Sequence, residues 1–240
     1  MFWEYEGIEG RGEKPRLLAT ERGLALVVGT ARSIWQDLER IPSFQGVGIV
    51  AINDMILRFR GQVHHGVSLH AEEPQLWRAL RSAYECDQAR VETHAYRWAR
   101  PGHEQPDNIW NIKGAGAGTS GLFAVMVALA LGYERVVLAG VPLDGSGHFW
   151  DAPRAEPTPF GSQFVRSEWI KAKELYFRGR VRSLSGWTAE ILNNEGTPEE
   201  WINGKPGRYL QPGAYRDRAQ DDREHRGADR GRPEVQGLLP

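Results

Sequence analysis

TSGLFAVMVALALGYERVVLAGVPL, residues 119–143, is the stretch whose reading decides the fold. It opens on a polar turn. Residues 122–131 then run without a charged side chain, which predicts a helix buried on most of its faces. Gly132 supplies a short turn, and 136–138 reads as a buried central strand. Gly114, Gly116, Gly118 and Gly121 surround Thr119 and Ser120 at the helix start. Glycine lets a ligand approach the backbone closely. A Ser or Thr there caps the helix, and the unpaired N–H groups attract anions. Gly118, Thr119, Ser120 and Gly121 are therefore expected to meet a ligand phosphate or hydroxyl; the competing reading of Thr119 and Ser120 is a plain cap.

Upstream, Leu24–Val28 is an apolar run ending in Gly29 and Thr30, and 33–40 has helical spacing of Ile34, Trp35 and Leu38 before Pro42. Strand, small-residue turn and helix open a doubly wound α/β unit. The turn reads GTARS and lacks the GxGxxG spacing of a dinucleotide site. Val47–Ile52 reads as a second strand with Asn53 and Asp54 at its end, and 63–69 as a third ending at His70. Pro74–Ala83 is expected to be a helix with Leu76, Trp77 and Leu80 on one face, and 91–94 a further strand. Residues 99–118, with Pro101, Pro106 and several glycines, read as a long irregular loop. A second loop, 140–160, follows the central strand. A helix over 163–178, a strand over 181–184 and a short helix over 187–192 complete the pattern. Alternating strands and helices imply a mostly parallel sheet with helices on both faces, a Rossmann-like α/β domain over 23–193. An N-terminal arm, 1–22, precedes it, and an extended or disordered tail, 194–240, follows.

The chain has 240 residues, 40% of them hydrophobic, enough for one good core. A net charge of -1 gives no electrostatic case for nucleic acid. Cys86 is the single cysteine, which excludes an internal disulfide and fits a reducing, cytoplasmic setting. The N-terminus, MFWEYEGIEG, has no cationic segment followed by an apolar run, so no signal peptide is expected. The longest apolar run is too short to span a bilayer. Self-association is left open.

Ligands in open α/β sheets bind beyond the carboxyl ends of the strands. Gly29, Thr30, Asn53, His70 and the loop after Gly140 should therefore share one rim. Asn53 can donate to and accept from a base or ribose, or simply turn the chain. Asp54 is expected to cap the next helix rather than hold a metal. Asp144 suits a sugar hydroxyl or a cation, or else a turn before Gly145. His148, in a loop read as exposed and mobile, is the candidate general base, since imidazole changes charge near neutral pH. His64 and His65 are neighbours in a strand, point to opposite faces and cannot share a metal. Trp110 and Trp150, in the two loops, could stack on a sugar or base.

TSGLFAVMVALALGYERVVLAGV resembles the segment of bacterial lipo-oligosaccharide sialyltransferases in which a Ser/Thr-Gly turn opens an apolar helix ending in ALGY, followed by a strand. Archaeal 6-hydroxymethylpterin diphosphokinase-like (MptE-like) proteins carry a similar pattern. LALVVGTARS looks like the glycine-rich opening of both groups, and VAIND and VSLH resemble their next two strand ends. The sialyltransferase resemblance implies that Thr30 with Ser33, Asn53, His70, and Thr119 with Ser120 bind CMP and the sugar. It also implies catalysis without a metal, by a His base in the loop before the helix near Gln163. No His lies between Phe149 and Lys171, and His148 is the only substitute. The expected function is a glycosyltransferase-like enzyme using a nucleotide-activated, CMP-type sugar and an unspecified sugar acceptor, with no cofactor. One alternative is an ATP- and Mg²⁺-dependent diphosphokinase with Asp144, joined by Asp54, on the metal. The other is a non-catalytic binding or assembly protein on the same fold.

Overall fold

The computed structural model describes residues 2–5, 8–12, 23–83, 91–112, 119–152, 163–194 and 196–202. Among the described residues nine strands form one sheet: β1 (Phe2–Tyr5), β2 (Ile8–Gly12), β3 (Leu24–Val28), β4 (Val47–Ile52), β5 (His65–Ser68), β6 (Glu92–Ala95), β7 (Asn108–Asn111), β8 (Arg135–Ala139) and β9 (Val181–Ser183). Their spatial order is β1-β2-β7-β6-β5-β4-β3-β8-β9. The seven strands from β7 to β9 are parallel, and β1 and β2 add an antiparallel hairpin at the β7 edge. From β3 the chain steps outward through β4, β5, β6 and β7, then crosses back to β8 and β9. The order of winding therefore reverses between β3 and β8, the place where such sheets open a crevice.

Side chains alternate across a strand, so both faces of β3 must be apolar if both are covered. Ala25 and Val27 pack on one side with Val136 and Leu138 of β8, under the helix α4 (Ser120–Ala130). Leu24, Leu26 and Val28 pack on the other with Val137 and Ala139, against α1 (Ile34–Glu39) and α2 (Met55–Arg58). Helix α4 lies across β5, β4, β3 and β8, and every residue from Gly121 to Ala130 is buried. Valines in a helix this short give little intrinsic stability. Burial of Leu122, Phe123, Met126 and Leu129, each worth about 1.5–3 kcal/mol, is what holds it in place.

One close approach seats α4's exit turn. A Cβ on Gly48 in β4 would stand 2.2 Å from the Tyr133 hydroxyl, so only glycine leaves room for that fully buried ring.

Helix α3 (Pro74–Ala83) forms where expected but is rotated. Pro74, Gln75, Trp77 and Arg81 are its buried residues, while Leu76 and Leu80 are 57% and 37% exposed. The Arg81 guanidinium donates to the carbonyls of Ile56, Phe59 and Gly61. Those bonds turn the helix so that a cation, rather than the two leucines, faces inward. Helix α5 (Gln163–Ala172) runs into a π-helical turn, Lys173–Phe177, instead of staying regular to 178.

Strand β7 lies inside the stretch expected to be irregular. Ile109 and Trp110 suit a strand, and Trp110 is buried, not a ligand cover. The ordered body continues past 193: α6 (Gly186–Leu192) is followed by α7 (Glu199–Ile202), which buries Ile202. The tail beyond 202, the arm residues 13–22, Cys86 and Gly118 lie outside the described residues. No described helix is long and apolar enough to cross a membrane.

Candidate active site

The site starts from two glycines. Gly29 and Gly140 follow β3 and β8, and a Cβ on either would stand 2.5–2.6 Å from the other's carbonyl oxygen. The two strand ends can therefore touch: Gly29 N–H donates to Ala139 O at 2.8 Å and Ala31 N–H to Gly140 O at 3.1 Å. Asp37 fastens this junction from beneath. Its buried carboxylate accepts from Gly140 N–H at 2.7 Å, from the Ser185 hydroxyl at 2.7 Å and from the Ser33 hydroxyl at 3.2 Å. Burial raises its pKa above the ordinary carboxylate value, and those three donors oppose the rise.

The loop after β8 folds back onto the β3 turn. Arg32 N–H donates to Gly147 O and Phe149 N–H to Thr30 O, at 3.1 and 3.0 Å, and Ala31 bridges His148. The Arg32 guanidinium reaches Asp151 O at 2.6 Å and Ser146 O at 3.4 Å. The expectation of a mobile loop gives way: its described residues 146–151 are bonded back to the β3 turn. His148 remains exposed within it. Its Nδ1 lies 2.7 Å from Thr30 Oγ1, and its ring stacks on Trp150 at 4.7 Å and 12°.

The opposite wall comes from β4 and α4. Asn53 sits at φ 51°, a left-handed conformation that Asn tolerates, and its Oδ1 accepts from Ser68 Oγ at 2.9 Å. That bond leaves its amide donor for other use. Thr119 Oγ1 accepts from Leu122 N–H at 3.2 Å, so its side chain is a true cap. The first N–H groups of α4 have no intrahelical acceptor.

Together these walls enclose a cavity of about 320 Å³. Gly29, Thr30, Asn53, Thr119, Ser120, Gly121, Asp144 and His148 all line it, as do Ser146 and Asp151. It therefore brings together eight of the residues expected at the site. Ser146 Oγ is buried with no partner among the described residues. A hydroxyl so placed costs about 1–3 kcal/mol until a ligand atom or water bonds it. The lining carries two carboxylates, Asp144 and Asp151, and neither Lys nor Arg among its described residues.

Two expected residues stand elsewhere. Ser33 is turned to Asp37 and Ser185, and its place at the rim is lost to the buried carboxylate. His70 is exposed and off the cavity, because β5 ends at Ser68 and that hydroxyl, not His70, meets Asn53. Asp54 makes no side-chain cap and instead pairs with Arg58 at 3.5 Å. Asp144 Oδ1 accepts from Ser146 N–H at 2.9 Å, the turn its Gly145 neighbour implied. Asp37 and Ser68 are supports of the cavity walls that the sequence hid: each is defined by a partner far along the chain.

One set of described side chains converges as metal ligands do: His65, Glu92 and His94, with ligand atoms within 4.8 Å. The proton order argues against an ion there. Trp110 Nε1–H donates to His94 Nδ1 at 3.0 Å. A neutral His94 then carries its own proton on Nε2, the atom that would have to bind the metal. That proton goes to His65 Nδ1 at 3.1 Å, and His65 Nε2 lies 3.3 Å from the Tyr133 hydroxyl.

This chain of rings has a pH signature. Burial pushes the pKa of His94 down to about 3, the nearby His65 adding to the effect and Glu92 opposing it. Unfolded His94 gains a proton below about pH 6.5, and the folded ring does not. Stability from this group is complete above that pH and falls as pH drops toward 3, by about 1.4 kcal/mol per unit. Chemical denaturation between pH 6.5 and 4 should show a steeper loss in the wild type than in His94→Asn. Equal slopes would contradict the assignment.

No family model matches the chain, and no curated protein matches it. Among solved structures it is similar to the monofunctional alpha-2,3-sialyltransferase Cst-I from Campylobacter jejuni. The identity is 13% and the TM-score 0.54, over 90% of this chain and 100% of that chain. It is also similar to the sialyltransferase CST-II in complex with a trisaccharide acceptor and CMP. There the identity is 13% and the TM-score 0.50, over 79% and 93% of the two chains. A CstII structure from Campylobacter jejuni with cytidine-5'-monophosphate gives 14% identity and a TM-score of 0.50, over 79% and 91%. The chain thus has a sialyltransferase-like fold. The pterin diphosphokinase resemblance has no counterpart among these structures.

Proposed function

We propose that the chain is a metal-independent, cytoplasmic glycosyltransferase-like enzyme that uses a CMP-type nucleotide sugar, with His148 as general base. The observation that carries this reading is the cavity at the β3/β8 reversal, where the N-terminus of α4 and Asn53 face His148 across the glycine junction. Helix N–H groups at Ser120 and Gly121 suit one phosphate, and negative charge is favoured there by the helix dipole. A triphosphate would bring several more charges to a lining whose described charged residues are two aspartates. The CMP complexes among the structural neighbours support the same ligand class.

In the proposed reaction an acceptor hydroxyl attacks the anomeric carbon while the bond from that carbon to the phosphate oxygen breaks. CMP leaves with the bonding pair, its charge held by the fixed N–H groups. His148 Nε2 takes the hydroxyl proton. The single cysteine supports a reducing compartment.

Thermal denaturation with CMP, CDP and ATP, with and without Mg²⁺, tests the ligand class. A hundredfold excess over Kd adds about 2.7 kcal/mol, which is a rise of about 5–10 °C for a domain this size. CMP is expected to give that rise without Mg²⁺. Stabilisation by ATP only with Mg²⁺ would overturn the proposal. Indifference to every nucleotide would replace it with the assembly reading.

A further inference from the structure

We infer that Thr30 is the positioning residue of His148: it claims Nδ1 and so reserves Nε2 for the substrate proton. The inference rests on His148 being the base. Imidazole has two nitrogens, and a base at neutral pH needs the outward one unprotonated. Thr30 Oγ1 lies 2.7 Å from Nδ1 and is the hydroxyl of a residue only 7% exposed. With Nδ1–H donating to it, the lone pair resides on Nε2. When Nε2 gains the acceptor's proton, the same Nδ1–H bond persists, so no second proton has to move.

A carboxylate commonly fills this role beside a catalytic His. The nearest one by sequence, Asp151, is used otherwise: its Oδ2 accepts from the His148 backbone N–H at 2.8 Å. The ring is held by a neutral hydroxyl along one edge and by a flat aromatic face. Trp150 stacks on it nearly parallel, and the Arg58 guanidinium lies 5.0 Å from the Trp150 ring. Arg58 is itself tied to Asp54. The bond sets rotation within the ring plane, and the stack sets the plane. The Ala31–His148 bridge keeps the two backbones in register, so Thr30 and the ring meet without loop closure.

Nitrogen-15 NMR of the His148 ring reads the tautomer whether or not turnover is found. The wild-type protein is expected to show Nδ1 protonated and Nε2 bare at pH 7.5. Thr30→Val keeps the shape and deletes the hydroxyl, and should move the ring toward the Nε2–H form. It should also lower kcat by about 10- to 100-fold, less than the ~10²- to 10⁴-fold lost with the base itself, with the donor KM little changed. Thr30→Ser should recover the wild-type spectrum. An Nε2–H majority in the wild type, or a tautomer indifferent to Thr30→Val, would overturn the inference. A tautomer that follows the hydroxyl in a protein without transferase activity would uphold the positioning contact in the resting protein and sink the enzymatic reading alone.

Discussion

Gly140→Ala is expected to lower stability by about 2–5 kcal/mol. Two costs combine. Gly140 sits at φ 67°, where an L side chain costs about 1–2 kcal/mol. Its new Cβ would also stand 2.6 Å from the Gly29 carbonyl oxygen and 2.8 Å from Ile34 Cβ. Overpacking of that kind costs about 1–3 kcal/mol, and more when backbone has to yield. Any shift would also loosen the Asp37 bond to Gly140 N–H. Gly102→Ala is the matched control: its φ is 90° with nothing within 4 Å of the new Cβ. It should lose about 1–2 kcal/mol, the backbone share alone. The gap between the two denaturation midpoints measures how tightly β3 and β8 close under the cavity. Equal losses would mean that the junction is slack.

His148→Ala should cut the transfer rate by about 10²- to 10⁴-fold, the usual range for a general base, while CMP still raises the melting temperature. The split follows from the geometry. The proposed phosphate seat is backbone at the start of α4, which lines the cavity separately from the His148 ring. Removing the imidazole leaves that seat intact, so binding and chemistry separate. An unchanged rate would remove His148 from the mechanism. Loss of CMP binding along with turnover would mean that the ring holds ligand rather than a proton.

The sequence carried the sheet centre well. The uncharged 122–131 run reads as an interior helix, and Leu24–Val28 and Val47–Ile52 read as strands, and the structure has them so. Strand ends then placed Thr30, Asn53 and Thr119 on one rim, because period-2 and period-3.6 patterns are local. What stayed hidden depends on distant partners. Asp37 lies off the apolar positions Ile34, Trp35 and Leu38, and only the bond from Gly140, 103 positions later, marks it out. The four residues of β7 carry too little pattern to stand out, and their strand exists because β6 and the N-terminal hairpin flank it. Ser33 and His70 had the right residue types near the right strand ends. The turn after β3 and the early end of β5 sent them elsewhere.

The most direct measurement is a CMP titration, without Mg²⁺, followed at the backbone amides of Ser120 and Gly121. The largest shifts are predicted there and at Asn53, saturating with the same constant as the thermal stabilisation. Saturable CMP binding that leaves those amides unmoved would contradict the phosphate seat at the start of α4, and the proposed chemistry with it.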